Sequence, residues 1–276
     1  MELKNITADE IKKMSYNELI GLVQETNRPP GGIHSINTIA LQTRLNNLSK
    51  VLEVGTSTGV TAVELARLTN CNVEAIDINK TSLIEARNRS NQYSVASNIN
   101  FDQQDVTNLP YSDNTFDLVF FGNVISLVND RSKGFNETIR VLKSGGYLSF
   151  IPMYYLEKPS EKLLKRVSDA IQVPVSYLTK DYWLDFLSSE KTDLFYQKEF
   201  KFDAISQDRV ELFSQQILER DHLKELSNEA KAALVDCYTR YMQLFRENLS
   251  IMGFSVLIYR KNPLPTEETL FTSTPL

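Results

Sequence analysis

The chain has 276 residues, a formal net charge of −5 and a sequence pI near 5.3. That acidic balance, with no dense Lys/Arg cluster, argues against a nucleic-acid surface, and no run approaches the ~18 apolar residues of a membrane span. With 42% hydrophobic and 24% charged residues, it reads as one enlarged globular domain or a core with a cap. Cys71 and Cys237 stand far apart, carry no metal spacing and read as reduced core thiols. The first residues, Met1-Glu2-Leu3-Lys4-Asn5, lack an apolar leader, so a cytoplasmic location is the expectation.

In chain order, residues 7–27 read as a helix opened by the capping box Thr7-Ala8-Asp9-Glu10 and stopped by Arg28-Pro29-Pro30-Gly31-Gly32. A second helix is expected over about 35–48. Strands then alternate with helices: strands near 51–54, 73–77, 99–102, 116–121 and 146–151, helices near 59–69, 80–92 and 131–142. Such alternation implies parallel strands with helices on both faces. Past Pro152 the pattern predicts helices at 159–171 and 180–188, a strand at 194–202, helices at 206–222 and 228–249, and a last apolar strand over 254–259. Residues 261–276, rich in Pro and Thr, read as a flexible tail.

One stretch carries chemistry. Val51-Leu52-Glu53-Val54-Gly55-Thr56-Ser57-Thr58-Gly59 is a strand, a glycine turn and the start of a helix. Glycine lets the backbone approach a ligand closely, and the opening helix presents unpaired N–H groups. A second strand, Asn72 to Asp77, ends in a carboxylate suited to a ribose diol. This is a nucleoside-cofactor site. A dinucleotide fingerprint would need Gly-x-Gly-x-x-Gly; Ser57 occupies its middle position, and the second glycine falls where that pattern has none. The nicotinamide oxidoreductase reading fails there.

Three more segments complete a pattern: Asn98 to Val106, with Asp105 past a strand end; Leu109 to Phe120, a turn into a buried strand; and Arg140 to Leu148, turning on Gly145-Gly146. In this order and at these intervals the segments resemble the class I S-adenosylmethionine-dependent methyltransferases, in the branch of the ubiquinone and menaquinone biosynthesis enzymes. The resemblance covers roughly residues 48–152, with weaker support to about 203 and again near 253–260. It implies a Rossmann-like, doubly wound, mostly parallel seven-stranded sheet with helices on both faces, the last strand antiparallel between the fifth and sixth, and a helical cap. The expected division is a lid over 1–34, a cofactor-binding core over 35–152, and completion of the sheet over 153–260 with cap insertions at 153–176 and 204–249.

The resemblance also assigns residues. Gly55, Thr56, Ser57 and Gly59 would meet the methionine portion of S-adenosyl-L-methionine, Glu53 would orient the glycine loop through backbone N–H groups or meet the cofactor's ammonium, Asp77 would bind the ribose, and Ile78 would cover the adenine face. Asp105 and Val106 would take the adenine amino group and Asn123 the neighbourhood of the reacting methyl. Met153 and Tyr154 would face the acceptor. His34, just after the Pro-Pro-Gly-Gly joint, is the candidate general base; His222 reads as a solvated helix end and Arg28 as a solvated loop residue. Phe121-Gly122-Asn123-Val124 differs from the Asn/Asp-Pro-Pro-Tyr/Phe tetrad of nucleic-acid amino-methyltransferases, and no carboxylate follows before Asp130, so no metal is expected. The implied function is methyl transfer to a small-molecule acceptor, with a place in secondary metabolism, by a monomer or homodimer with neither nucleic-acid nor membrane partners. The competing reading is a cofactor-binding regulatory or scaffold subunit without activity.

Overall fold

The computed structural model describes residues 3–26 and 28–262; the expected tail beyond Asn262 lies outside the described residues. Three helices come first, α1 (Ala8–Lys13), α2 (Tyr16–Leu22) and α3 (Gly32–Gln42). The core follows as β1 (Lys50–Val54), α4 (Val60–Thr69), β2 (Asn72–Asp77), α5 (Lys80–Gln92), β3 (Ile99–Gln103), β4 (Phe116–Phe121), α6 (Arg131–Val141) and β5 (Leu142–Phe150). The chain closes with β6 (Met153–Tyr155), α7 (Glu161–Ile171), α8 (Lys180–Leu187), β7 (Thr192–Lys201), α9 (Gln207–Leu218), α10 (Asn228–Leu249) and β8 (Met252–Lys261).

The strands form one mixed sheet in the order β3-β2-β1-β4-β5-β8, with β1 to β5 parallel and β8 antiparallel. Both β6 and β7 pair with β8. The eighth strand has a simple cause. Proline cannot donate to a ladder, and Pro152 interrupts what is otherwise a single path. The pairing Phe150↔Leu257 resumes as Met153↔Phe254, three residues on in each chain. The Pro152 carbonyl still accepts the Ser255 N–H at 3.2 Å. So β8 lies between the interrupted fifth strand and β7, as the doubly wound reading predicts.

The sheet is buried on both faces. Ile36, Ile39, Val63, Leu65, Leu83 and Phe101 pack on one side. Phe116, Phe121, Phe135, Phe150 and Trp183 pack on the other, where Phe121 and Phe150 stack at 4.7 Å. The helices outside this layer have their own apolar clusters: Ile11, Leu19, Val23, Ile217, Leu234 and Tyr238 join α1, α2, α9 and α10, while Leu163, Val167 and Leu244 join α7 to α10.

Several boundaries differ from the sequence reading. The expected helix over 7–27 is two, because Ser15 and Glu18 form a second capping box that opens α2. Helix α3 ends at Gln42 rather than near Leu48: the Thr43 hydroxyl donates to the Ile39 carbonyl at 2.7 Å, and Arg44 is left-handed at φ 53°. Strand β8 runs through Lys261, one residue into the expected tail, where the ammonium donates to the carbonyls of Ile139 and Leu142.

Gly59 opens α4 at φ 78°, and a Cβ there would stand 2.7 Å from Ala86 Cβ and 2.9 Å from its Cα. A left-handed backbone alone costs a side-chain-bearing residue about 1–2 kcal/mol, and overpacking adds about 1–3 kcal/mol. Gly59→Ala is therefore expected to lower the thermal midpoint by roughly 4–10 °C. Circular dichroism melts check this; an unchanged midpoint would contradict the close packing of α4 on α5.

Candidate cofactor site

Sheet order reverses between β1 and β4, and the C-terminal ends of these two strands define the crevice where open α/β sheets bind ligands. On the β1 side the chain turns at Gly55, with φ 74°, and the N–H groups of Gly55 and Thr56 both donate to the Ile76 carbonyl, at 2.8 and 3.0 Å. Val124, just past β4, stands against Gly55: a Cβ at Gly55 would lie 2.6 Å from Val124 Cβ. The two lips are in contact across the switch point.

Two carboxylates hold the turn. Glu53 is 3% exposed, and its Oε2 accepts from the Thr56 hydroxyl at 2.6 Å. It also receives the Thr61 side chain and the Ala62 N–H, so it caps the first turn of α4, whose Gly59 cap offers no side chain. Burial pushes the Glu53 carboxyl up to about 7; the hydrogen bonds from Thr56, Thr61 and Ala62 oppose that, and Asp77 nearby adds to it. Asp77, at the end of β2, accepts the Ser57 N–H on Oδ2 and the Asn79 N–H on Oδ1, each at 2.8 Å. Burial raises its pKa too, against those backbone bonds. The Ile78 N–H bonds the same carboxylate. Two neighbouring acids under one turn favour a cationic guest.

Ser57 explains why glycine is the usual residue at the centre of such a turn. Its φ is 51°, in the left-handed region, where a side chain costs about 1–2 kcal/mol. The Asp77 carboxylate, bonded to the Ser57 N–H, helps hold it there.

Beyond Asp77, the neighbouring strand ends are tied by hydrogen bonds to backbone carbonyls. Gln104 N–H donates to the Asp77 carbonyl at 3.2 Å, and Gln103 Nε2 to the Ile78 carbonyl at 3.0 Å. Ile78 is 71% exposed, a large apolar side chain left on the rim. Asp105 is exposed, with Oδ1 taking the Thr107 N–H at 2.8 Å; Val106 is buried under it. At the β4 lip, Asn123 Oδ1 accepts the Met153 N–H at 3.0 Å, and the Met153 carbonyl accepts Trp183 Nε1, also at 3.0 Å. Asn123 thus clasps β4 to the strand that resumes after Pro152. Tyr154 is only 3% exposed and its hydroxyl lies against Phe254 and Ser255, inside the sheet layer; Met153 is half-buried. His34 is exposed on the first turn of α3, its ring edge-on to Phe200 at 6.0 Å.

A second set of residues was not singled out by motif. The strap between α2 and α3 touches both lips. Thr58 donates its hydroxyl to the Glu25 carbonyl at 3.2 Å, while Pro29 packs on Gly122, where an added Cβ would meet it at 3.4 Å. Arg89 on α5 donates to the Thr58 carbonyl at 2.9 Å. Arg220 donates to the carbonyls of Val23 and Gln24, and His222 Nε2 bonds the Leu22 carbonyl at 3.1 Å. His222 therefore anchors the end of α2 and is not a solvated helix end. These contacts span up to 200 residues of sequence. The only local signal was the Arg-Pro-Pro-Gly-Gly stop itself.

A family model described as a methyltransferase domain matches residues 45–210, more than half of the chain. The chain belongs to the methyltransferase domain family. Its family and fold are those of the class I S-adenosylmethionine-dependent methyltransferases. It is 33% identical over 145 residues to the ubiquinone/menaquinone biosynthesis C-methyltransferase UbiE of Pseudomonas putida, covering 51% of this chain and 55% of that one. The match thus spans about half the length of that curated relative. Among solved structures, the MccD protein superposes with a TM-score of 0.73 at 24% identity, covering 86% of this chain and all of the other. A Haemonchus contortus phospholethanolamine N-methyltransferase, solved with phosphomonomethylethanolamine and S-adenosylhomocysteine, superposes with a TM-score of 0.66 at 17% identity, covering 94% of this chain and 59% of that chain. At such identities these structures show the fold. Among the described residues no helix is long and apolar enough to cross a membrane, and no group of three or more His, Cys, Asp or Glu is placed to hold a metal ion.

The raised Glu53 carboxyl has a stability consequence. A group whose folded value exceeds its unfolded value of 4.5 binds more protons in the fold, so stability falls as pH rises through that window to about 7. The thermal midpoint should drop between about pH 5 and pH 8, and Glu53→Gln should remove part of that drop. Identical pH slopes for the two proteins would contradict the assigned burial.

Proposed function

We propose that this protein transfers a methyl group from S-adenosyl-L-methionine to a small-molecule acceptor by in-line displacement. The observation that carries the reading is the coupling of the glycine turn to Asp77 at the switch point: the residue suited to a ribose diol also fixes the backbone of the loop beside it. The donor supplies an already activated methyl on a sulfonium. The chain's task is then alignment, which can lower a barrier by about 7–11 kcal/mol.

In this reading Asp77 receives the two ribose hydroxyls, Ile78 covers one adenine face, and Asp105 with Val106 meets the adenine edge. Gly55, Thr56, Ser57 and Gly59 surround the methionine portion. Glu53 acts from beneath, holding the turn through Thr56 and α4 through Ala62. Asn123 sets the β4 lip by its bond to Met153. The residues fit the cofactor in charge as well as shape, since Glu53 and Asp77 favour a positively charged guest. His34, exposed over Phe200, contributes to the acceptor side at most as an auxiliary base. Water exclusion falls to Glu25 and Pro29, which bear on the two lips. A small-molecule acceptor, a cytoplasmic location and independence of metal ions belong to the same proposal.

Titration calorimetry with S-adenosylhomocysteine tests the site. Wild type should bind it, and Asp77→Ala should weaken binding about 30-fold or more, the equivalent of losing one to two charge-assisted hydrogen bonds. Near-native affinity in the variant, or preference for NAD(H), would overturn the assignment. Transfer of radiolabelled methyl to a pool of small metabolites tests the activity; tight binding without transfer would favour a regulatory subunit.

A further inference from the structure

The loop after β4 forms one wall of the crevice and meets residues assigned to both ends of the cofactor. Val124 stands against Gly55, where an added Cβ would lie 2.6 Å from Val124 Cβ. At the start of α6, a Cβ on Gly134 would lie 3.2 Å from Val106 Cγ1 and 3.6 Å from Val128 Cγ1. Between these contacts the loop closes on itself. The Asn123 carbonyl accepts the Ser126 N–H at 3.3 Å and the Ser126 hydroxyl at 2.7 Å.

Arg131, the first residue of α6, ties this loop to α8. Its Nη2 donates to the Ser126 carbonyl at 2.8 Å and its Nη1 to the Tyr182 hydroxyl at 3.0 Å. The guanidinium carbon lies 5.8 Å from the centre of the Trp183 ring, and Nε is buried without a partner among the described residues. Among those residues Arg131 forms no ion pair. A half-buried cation without a counter-charge is costly, so packing of α6 on α8 alone would favour an apolar side chain. What arginine adds is a planar fork that reaches two acceptors in fixed directions, which a lysine ammonium does not. Trp183 braces the other end of the same wall. Its Nε1 donates to the Met153 carbonyl, and the Met153 N–H donates to Asn123 Oδ1, each at 3.0 Å. Helix α8 thus grips the loop at both Asn123 and Ser126.

We propose that Arg131 is a positioning residue of the donor site: by holding the Ser126 carbonyl to Tyr182 it fixes the wall between Gly55 and Val106 before S-adenosyl-L-methionine arrives, and Trp183 on the same helix senses the donor. This deepens the methyltransferase reading and rests on it. Arg131 acts through the loop and touches no ligand. A wall preset in this way lowers the ordering cost of binding, so its loss weakens the donor without deleting any of the donor's own contacts. Tyr182 acts through Arg131, and the two side chains form a single link.

The test is the affinity of the full-length protein for S-adenosylhomocysteine, read by titration calorimetry and by the emission of Trp183, the single tryptophan of the chain. In wild type that emission should shift or quench on saturation. Arg131→Met should weaken binding about tenfold and Tyr182→Phe about threefold, less than a direct charged hydrogen bond would give because the effect passes through the loop. The double variant should match Arg131→Met within about twofold, since the phenol then has no partner left to lose. Arg131→Lys, which keeps the charge but satisfies one acceptor, should fall between wild type and Arg131→Met. A brace with no bearing on the donor would lower the thermal midpoint and leave affinity alone, so Arg131→Met within about twofold of wild type overturns the proposal. Additive losses in the double variant, or emission unchanged by bound ligand, overturn it as well. Should Arg131→Met lose its thermal transition, Tyr182→Phe carries the test, and undiminished affinity there overturns the proposal. Failure of wild type to bind S-adenosylhomocysteine would instead sink the methyltransferase reading, and this inference with it.

Discussion

The hydrogen bond from the Ser57 N–H to the Asp77 carboxylate is the contact on which the rest of the site depends. It joins the turn after β1 to the end of β2, two strands that are already neighbours in parallel register. It also helps hold a non-glycine residue in a left-handed conformation that the chain would otherwise avoid. Glu53 works from the other side, bonding Thr56 and the first turn of α4. With both carboxylates in place the turn is rigid before any ligand arrives, and preorganisation of this kind lowers the cost of binding. The same two acids leave the crevice short of positive charge. A sulfonium donor answers that need directly.

Burial sets the character of these acids. Each is taken from water by the closed packing of the sheet, and each carries a raised pKa for that reason first. Glu25 repeats the arrangement above the crevice, with burial again the leading cause. None of these three carboxylates belongs to a metal cluster among the described residues. The chain stabilises them with hydroxyls and backbone N–H groups, such as Thr56, Tyr238, Ser57 and Asn79, rather than with close ion pairs.

Much of the fold was legible because its signals are local. Apolar runs of five or six residues between amphipathic helices specify a parallel sheet, and the glycine turn with Asp77 after the next strand marks the cofactor end. What escaped reading depends on competition or distance. The break at Ser15 pits helix continuation against a second capping box, which prevails because Glu18 completes it. The early end of α3 falls at the Thr43 cap, where Arg44 turns left-handed without a glycine to mark it. Pro152 looked like a boundary between units but proves to be an interruption within one strand path. The bond from the Met153 N–H to the Asn123 side-chain oxygen, thirty residues apart, was likewise not readable from the motif. Tyr154 looked acceptor-facing by position, yet its hydroxyl is taken up inside the sheet by Phe254 and Ser255. Glu25, Arg89 and Arg220 carried no motif at all, because their partners lie tens to hundreds of residues away.

A crystal structure with S-adenosylhomocysteine bound is the most direct measurement of the central claim. The account predicts ribose hydroxyls on the Asp77 carboxylate with the Ser57 N–H bond intact, adenine between Ile78 and Val106, and the thioether sulfur beneath the strap between Thr58 and Gly122. Ribose density away from Asp77, or a glycine turn released from it on binding, would contradict the claim that this one carboxylate organises both the loop and its ligand.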